Sequence, residues 1–207
     1  MRTASQSPSA FQTSKILLYN KGMATKTLLT IEQYIALGED PPGVRYELSD
    51  GELIVTPSPN YSHNRICRRF NTQLEDYLEV HPLGIIAGDN DVKLGETTVR
   101  RPDVAFIRNE RLEGVDINHV PILAVPNLVI EIVSPTDRNA DLMKKVSEYL
   151  KAGVQAVWLF YPGLLCAYRY NDEQTQCLPS DDEFSESNLL PGFTVKISEI
   201  FRWGIRL

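Results

Sequence analysis

Residues 127–162, NLVIEIVSPTDRNADLMKKVSEYLKAGVQAVWLFYP, decide the fold of this chain. An apolar run ends before Pro135, a segment of helical period follows and ends at Gly153, and a second apolar run begins directly after that glycine. Two buried strands joined by one helix predict a right-handed crossover between parallel neighbours. This unit therefore predicts a sheet with a helix against one face.

The flanking segments predict a hairpin, two more helices and further strands. Residues 45–59, RYELSDGELIVTPSP, have a two-residue turn signal at Asp50-Gly51. Residues 62–80 have a helical apolar period, and residues 30–38, TIEQYIALG, begin with a capping-box pattern. Further strands are predicted in GIIAGDNDVKL, TTVRRPDVAFI, LCAYRYN and FTVKISEIF, with an acidic loop, SDDEFSES, before the last of these. The order predicts a mixed α/β layer protein with an N-terminal hairpin extension.

Length and composition indicate a globular chain. The 207 residues are 43% hydrophobic and 23% charged, so we expect one domain over residues 23–207. Residues 1–22 are rich in Ser, Thr and Gln and are expected to be disordered, and translation starts at Met1 or Met23. No segment approaches the roughly 20 apolar residues of a membrane span. Three widely spaced cysteines and the lack of a secretory signal favour the cytoplasm.

Two acidic residues interrupt apolar runs. Asp103 lies in TTVRRPDVAFI and Glu131 in NLVIEIVS, and both runs are candidate core strands. Buried carboxylates need a partner, and two of them in one site repel each other unless a cation neutralises them. Oxygen ligands of this kind suit Mg²⁺ or Mn²⁺. The alternative is that either acid lies at a strand end and faces solvent.

Helix phase distinguishes two neighbouring lysines. In the predicted helix ADLMKKVSEYLKAG the apolar stripe is centred near Val146 and consists of Leu142, Val146, Tyr149 and Leu150. Lys145 lies at the edge of this stripe, and Lys144 points away from it. We expect Lys145 to reach toward the strand ends, where it would orient or deprotonate a water molecule. Its alternative is to extend past the helix edge into solvent.

Three further residues are weaker candidates. Glu47, in the hairpin, would supply a third acidic group or else be an exposed hairpin residue. His63 lies on the apolar face of its helix and is predicted to be a core or supporting histidine rather than a ligand, and Asp91 is a candidate supporting acid. Basic residues cluster at 65–69 and 100–101, for which a solvated face is the simpler interpretation.

Several motifs in fixed order resemble one known family. Between residues 28 and 201 the chain contains RYELSDGELIV, SPNYSHNRI, RRPDVAFI, LVIEIVSPTDR, KVSEYLKAGVQAVWLFYP and LLPGFTVKISEIF. This set resembles the Uma-type endonuclease family of the PD-(D/E)XK nuclease superfamily. The resemblance implies a restriction-endonuclease-like core with a central mixed sheet flanked by helices.

The resemblance also implies roles for individual residues. Asp103 and Glu131 would be metal ligands, and the backbone carbonyl of Ile132 would complete the site. Glu47 matches the acidic residue that the family has before its Asp-Gly turn, and it would belong to the active site as a further metal ligand.

The chain departs from the superfamily's simplest pattern at one position. Val133 occupies the place where a lysine follows the glutamate by two residues. In this family the lysine is relocated to the following helix, and Lys145 is the matching residue.

The resemblance implies a Mg²⁺- or Mn²⁺-dependent endonuclease acting on DNA. A noncatalytic nucleic-acid-binding or regulatory module with the same fold is the alternative, favoured by the net charge of -6 and by Val133. A hydrolase of RNA or of a small phosphoester is a third interpretation. A homodimer is expected, since a two-fold axis places one site on each DNA strand. Phe201 and Trp203 belong either to that interface or to the core.

Overall fold

The structure is a computed structural model that describes residues 28–202. Its helices are α1 (Ile31–Ile35), α2 (Tyr61–Val80), α3 (Asn139–Lys151) and α4 (Ile197–Phe201). Its strands are β1 (Val44–Ser49), β2 (Glu52–Pro57), β3 (Gly84–Ile86), β4 (Val92–Lys93), β5 (Val99–Arg100), β6 (Val104–Arg108), β7 (Leu128–Ile132), β8 (Ala156–Tyr161), β9 (Cys166–Tyr170), β10 (Thr175–Pro179), β11 (Glu183–Ser185) and β12 (Thr194–Lys196). A 3₁₀ turn, Asn109–Arg111, follows β6.

Six strands form the central sheet, in the order β10-β9-β8-β7-β6-β3. Strands β7 and β8 are parallel, as the crossover through α3 predicts, and the other hydrogen-bonded pairs in this sheet are antiparallel. The predicted mixed α/β architecture is therefore confirmed.

Helices cover the two faces of the central sheet. Side chains alternate along a strand, so neighbouring residues of β7 enter different apolar clusters. Ile130 belongs to the cluster that contains Phe70 of α2, whereas Val129 belongs to the cluster that contains Val146 of α3. Glu131 has the same parity as Val129, and the alternation therefore directs its side chain toward α3.

The predicted hairpin is part of a second sheet, with the order β2-β1-β5-β4. At its turn Asp50 and Gly51 have φ values of 50° and 80°, the left-handed pair that a two-residue type I′ turn requires. Helix α1 packs on this sheet through Ile31 and Tyr34. The capping box predicted at Thr30 is present at the start of that helix.

Two runs predicted as single strands each divide between the two sheets. Residues 84–94 form β3 in the central sheet and β4 in the second sheet. Residues 97–107 form β5 in the second sheet and β6 in the central sheet. The first break contains Asp89 with φ 59°, and the second contains Pro102, which has no amide hydrogen to donate. Asp103 consequently precedes β6, and its expected place in the middle of a strand was wrong.

The strand predicted over residues 193–201 was half wrong. Only β12 is extended, and α4 follows it because Ile197, Ile200 and Phe201 are buried at helical spacing. The predicted acidic loop contains β11, which pairs with β12. Strand β10 was not predicted.

Some expectations concern parts of the chain outside residues 28–202. The tail at 1–22, the start codon and Trp203 lie there, whereas Phe201 is buried in the core. The assignment of residues 23–207 to one domain stays a prediction. Within the described part of the chain, no helix has both the length and the hydropathy of a membrane span.

Phe70 is expected to be a determinant of stability. It is fully buried, and its ring meets those of Phe160 and Phe184 edge to face at centroid distances of 4.8 and 5.5 Å. Phe70→Ala should lower the free energy of unfolding by about 3–5 kcal/mol, because it removes these contacts and leaves a cavity. Urea denaturation measures this change.

The matched control is Val80→Ala at the exposed end of the same helix, where the side chain is 72% exposed. That variant should differ from wild type by no more than about 0.5 kcal/mol. Equal losses in the two variants would contradict the assignment of Phe70 to the core.

Candidate active site

Strand pairing brings Asp103 and Glu131 together. Val104 of β6 pairs with Ile130 of β7, so the next residues outward on each chain, Asp103 and Glu131, lie opposite one another. The Asp103 carboxylate accepts a hydrogen bond from the backbone amide of Ile132, with a 2.8 Å distance between Oδ2 and N. Both acids are buried. The structure thus brings together the two carboxylates that the sequence singled out.

The side chain of Lys145 extends from α3 to two glutamates. Its Nζ lies 2.9 Å from Oε1 of Glu131 and 3.1 Å from Oε1 of Glu47. The hydroxyl of Tyr149, one helical turn further along α3, donates to Oε1 of Glu131 at 2.6 Å. Lys144 projects toward solvent and pairs with Asp50 at 3.1 Å. Helix phase therefore distinguished the two lysines correctly.

Glu47 is buried in the second sheet and is not an exposed hairpin residue. Its Oε1 accepts from the backbone amide of Arg101 at 2.8 Å, and its Oε2 accepts from Arg100 at 2.9 Å. Arg100 also donates through Nε to Glu148 of α3 at 2.6 Å. Salt bridges of Arg100 therefore connect the second sheet to α3.

The expectation of a solvated face at residues 100–101 was wrong. Arg100 is buried, and its guanidinium contacts two carboxylates. Arg101 pairs with Asp40, and its Nε donates to Asp91 at 2.7 Å. Asp91 also accepts from the hydroxyl of Tyr34 at 2.8 Å, so it contacts the site only through Arg101. In the other cluster Arg68 is exposed, as expected.

His63 and Cys67 approach Asp103 from α2. Nε2 of His63 lies 2.9 Å from Oδ2 of Asp103, and Nδ1 of the same ring lies 3.5 Å from Sγ of Cys67. The guanidinium of Arg45 lies 3.8 Å from the other oxygen of Asp103. His63 therefore contacts an acid of the site, in keeping with the supporting place predicted for it.

Burial and two neighbouring acids oppose ionisation of Glu131. Burial, with Asp103 and Glu47 close by, raises the pKa of Glu131 to about 7 despite the neighbouring Lys145. Burial also disfavours ionisation of Glu47, but Lys145 and Arg100 outweigh it and lower the pKa of that carboxyl. A cation at Glu131 would relieve the repulsion.

The two bases of the site keep their protons more firmly than usual. Burial alone would lower the pKa of Lys145, but the charges of Glu131 and Glu47 raise it above its ordinary value. Burial likewise opposes protonation of His63, and the hydrogen bond and charge of Asp103 reverse this and raise its pKa. Burial raises the pKa of the Cys67 thiol.

A cleft of about 890 Å³ is lined by Glu47, His63, Asp103, Glu131 and Lys145, among others. Nine of the chain's 21 lysines and arginines line it, but only five of its 27 aspartates and glutamates do. The cleft is thus locally basic although the chain carries a net charge of -6. Such a lining favours a polyanionic ligand.

The donor set fits a hard divalent cation. Asp103 and Glu131 supply carboxylate oxygens, and Ile132, whose carbonyl was predicted as a ligand, also lines the cleft. Burial, with a smaller contribution from Asp103 and Glu47, raises the pKa of Glu131, and a cation bound there would favour its ionised form. The metal-ligand roles themselves stay predictions.

Sequence reasoning missed several contributors to this site. Tyr149 was assigned only to the apolar stripe, yet it lies four residues after Lys145 and therefore on the same helix face. The roles of Arg100 and Arg45 depend on contacts between distant segments, and nothing in the local pattern indicates them. Cys67 lies four residues after His63, so the predicted helix already places both side chains on one face.

Replacement of the central ammonium should destabilise the metal-free protein. Lys145→Met leaves Glu131 and Glu47 facing each other without their shared cation, and we expect a loss of about 3 kcal/mol in the free energy of unfolding. Lys144→Met removes an exposed charge and should cost less than about 1 kcal/mol. Urea denaturation in chelator tests the pair, and equal losses would contradict the central place of Lys145.

Comparison with known proteins places the chain in a family. One solved structure, of a putative nuclease belonging to DUF820 from Anabaena variabilis, superimposes with a TM-score of 0.73 at 21% identity, covering 84% of this chain and 97% of that one. The similarity confirms the restriction-endonuclease-like fold. A comparison with curated proteins gave no match. Residues 31–198 match the family Uma2, described as "Putative restriction endonuclease", and the chain belongs to this family.

Proposed function

We propose that this protein is a metal-dependent endonuclease that hydrolyses DNA phosphodiester bonds. The observation that carries the proposal is the Lys145 ammonium, held within 3.1 Å of both Glu131 and Glu47 in an arginine-rich cleft. Membership in the family Uma2, described as "Putative restriction endonuclease", supports it, and the fold shared with the putative nuclease of DUF820 is consistent with it.

Asp103 and Glu131 would hold Mg²⁺ or Mn²⁺, with the carbonyl of Ile132 and, as a further ligand, Glu47. When bound, such an ion lowers the pKa of a bound water and stabilises the charge that develops on the phosphate. The hydrogen bond from the Ile132 amide fixes the orientation of the Asp103 carboxylate. The hydroxyl of Tyr149 does the same for Glu131.

Lys145 would act on the attacking water and on the scissile phosphate. Its raised pKa keeps the ammonium charged, which suits stabilisation of a phosphate oxyanion and orientation of a water by hydrogen bonding. Glu47 and Glu131 hold Nζ from two sides and fix the position of the ammonium. Lys145 on α3 would thereby take the place of the lysine that other members of the superfamily have at the position of Val133.

The lining of the cleft supports a nucleic-acid substrate. Arg65 and Arg69 of α2 and Arg138 before α3 line it beside the acids, where they would contact backbone phosphates. DNA is the proposed substrate, and RNA contains the same phosphodiester chemistry. The homodimer and the cytoplasmic location stay predictions.

One of the two reasons for expecting a noncatalytic module of the same fold no longer applies. That alternative depended partly on the absence of a lysine at position 133, whereas Lys145 lies 2.9 Å from Glu131. The acidic net charge is not shared by the cleft. We therefore advance only the catalytic function.

Metal binding is tested by calorimetric titration with Mn²⁺. The wild type should bind the ion, and Glu131→Gln should abolish binding because a carboxylate ligand is lost. Asp141→Asn is the matched control, since Asp141 lines the same cleft but is exposed. Equal affinity in wild type and Glu131→Gln would contradict the proposed centre.

Catalysis is tested on plasmid and single-stranded DNA with Mg²⁺ or Mn²⁺. Lys145→Met should reduce the cleavage rate at least about 100-fold, the usual contribution of one positioned donor to a developing oxyanion. Lys151→Met, an exposed lysine at the end of the same helix, should cleave at the wild-type rate. Asp103→Ala should be inactive. Wild-type rates in Lys145→Met or Asp103→Ala would refute the mechanism, and parallel assays on RNA determine the substrate.

A further inference from the structure

A thiol and an imidazole share one face of α2 beside the candidate Mg²⁺ site. His63 and Cys67 are four residues apart, which places them one above the other on the helix. Both are partly buried, and a ligand atom of each lies within 4.8 Å of a carboxylate oxygen of Asp103. The mechanism proposed above uses neither the thiol nor a ligand nitrogen of His63.

The three donors lie at distances typical of a small metal site. Ligand atoms of His63, Cys67 and Asp103 all lie within 4.8 Å of one another. The Nε2 atom of His63 lies 2.9 Å from Oδ2 of Asp103, whereas the 3.5 Å contact of the Cys67 sulfur is to Nδ1, the other nitrogen of the same ring. A tetrahedral zinc ion with ordinary bond lengths separates its nitrogen, sulfur and oxygen ligands by about 3.4–3.6 Å. For one ion to bind all three donors through Nε2, the Cys67 side chain has to turn from Nδ1 toward Asp103.

We propose that His63, Cys67 and Asp103 form a second metal site, selective for Zn²⁺ or a similar borderline ion such as Co²⁺. Thiolate and imidazole ligands favour these ions over Mg²⁺, which prefers oxygen. The incoming ion replaces the proton between His63 and Asp103 and displaces the proton of the Cys67 thiol. Water occupies the remaining position.

The site has a regulatory consequence that rests on the proposed function. An ion held by His63 and Cys67 at Oδ2 of Asp103, which already accepts from Ile132, leaves only Oδ1 for Mg²⁺ and places a second positive charge beside that centre. Zn²⁺ bound by His63 and Cys67 therefore competes with Mg²⁺ for Asp103. The outcome is inhibition of cleavage by Zn²⁺.

Cobalt spectroscopy tests the site without reference to cleavage. Co²⁺ added to reduced wild-type protein should give the near-ultraviolet charge-transfer band of a thiolate–Co²⁺ bond. Cys67→Ser and Cys67→Ala should both lack the band. Cys177→Ser is the matched control, because Cys177 is an exposed thiol on β10 far along the chain, and it should keep the band.

The outcomes separate this inference from the proposed function. A wild type without the band, or a band that persists in both Cys67 variants, would overturn the site whatever the cleavage assay shows. A Cys67-dependent band in a protein that does not cleave DNA would retain the site and refute the nuclease proposal. In an active protein, Zn²⁺ should inhibit Mg²⁺-dependent cleavage less in Cys67→Ser than in wild type, and equal inhibition would overturn the competition.

Discussion

The ammonium of Lys145, held between Glu131 and Glu47, is the interaction on which the rest of the site depends. Taking charges out of water costs several kcal/mol per ion, and only close partners offset that cost. Nζ lies 2.9 Å from one carboxylate and 3.1 Å from the other. Since the three side chains come from α3, β7 and β1, this one cation joins the crossover unit to the second sheet.

The charged side chains around Lys145 and its two glutamates are also paired with one another. Arg100 contacts Glu47 on one side and Glu148 of α3 on the other, and Arg101 pairs with Asp91. A buried charge with several partners has few alternative positions, so these pairs hold the carboxylates in place before any ligand arrives. Such preorganisation is what an ion-binding or oxyanion-stabilising site requires.

Local patterns predicted the parts of the molecule that depend on local physics. The crossover at residues 127–162, the Asp50-Gly51 turn and the edge position of Lys145 follow from periodicity and turn chemistry, and the structure contains all three. The breaks at Asp89 and Pro102 were not predicted, because the residues on both sides of each break are apolar enough for a continuous strand. Each run is divided only because its two halves pair with different sheets. The helix α4 was missed for a similar reason: its three buried residues suit either a strand end or one helical turn.

Long-range partners were beyond the reach of the sequence. A pair of arginines at 100–101 has the same local pattern whether it faces solvent or buried carboxylates, and the segments that supply Glu148 and Asp40 lie about 50 and 60 residues away. The family resemblance supplied the likeness of Glu47 to an active-site acid, but not the fact that it holds Lys145. The contact between Glu47 and Lys145 is visible only in the structure.

Asp103 and Glu131 would form a divalent-metal centre beside Lys145. A crystal soaked with Mn²⁺ and measured for anomalous scattering tests it most directly, since the manganese position is seen independently of any assay. We predict one strong anomalous peak between the carboxylates of Asp103 and Glu131, within bonding distance of the Ile132 carbonyl. An anomalous map without a peak at these carboxylates, at Mn²⁺ concentrations that saturate binding in solution, would contradict the account.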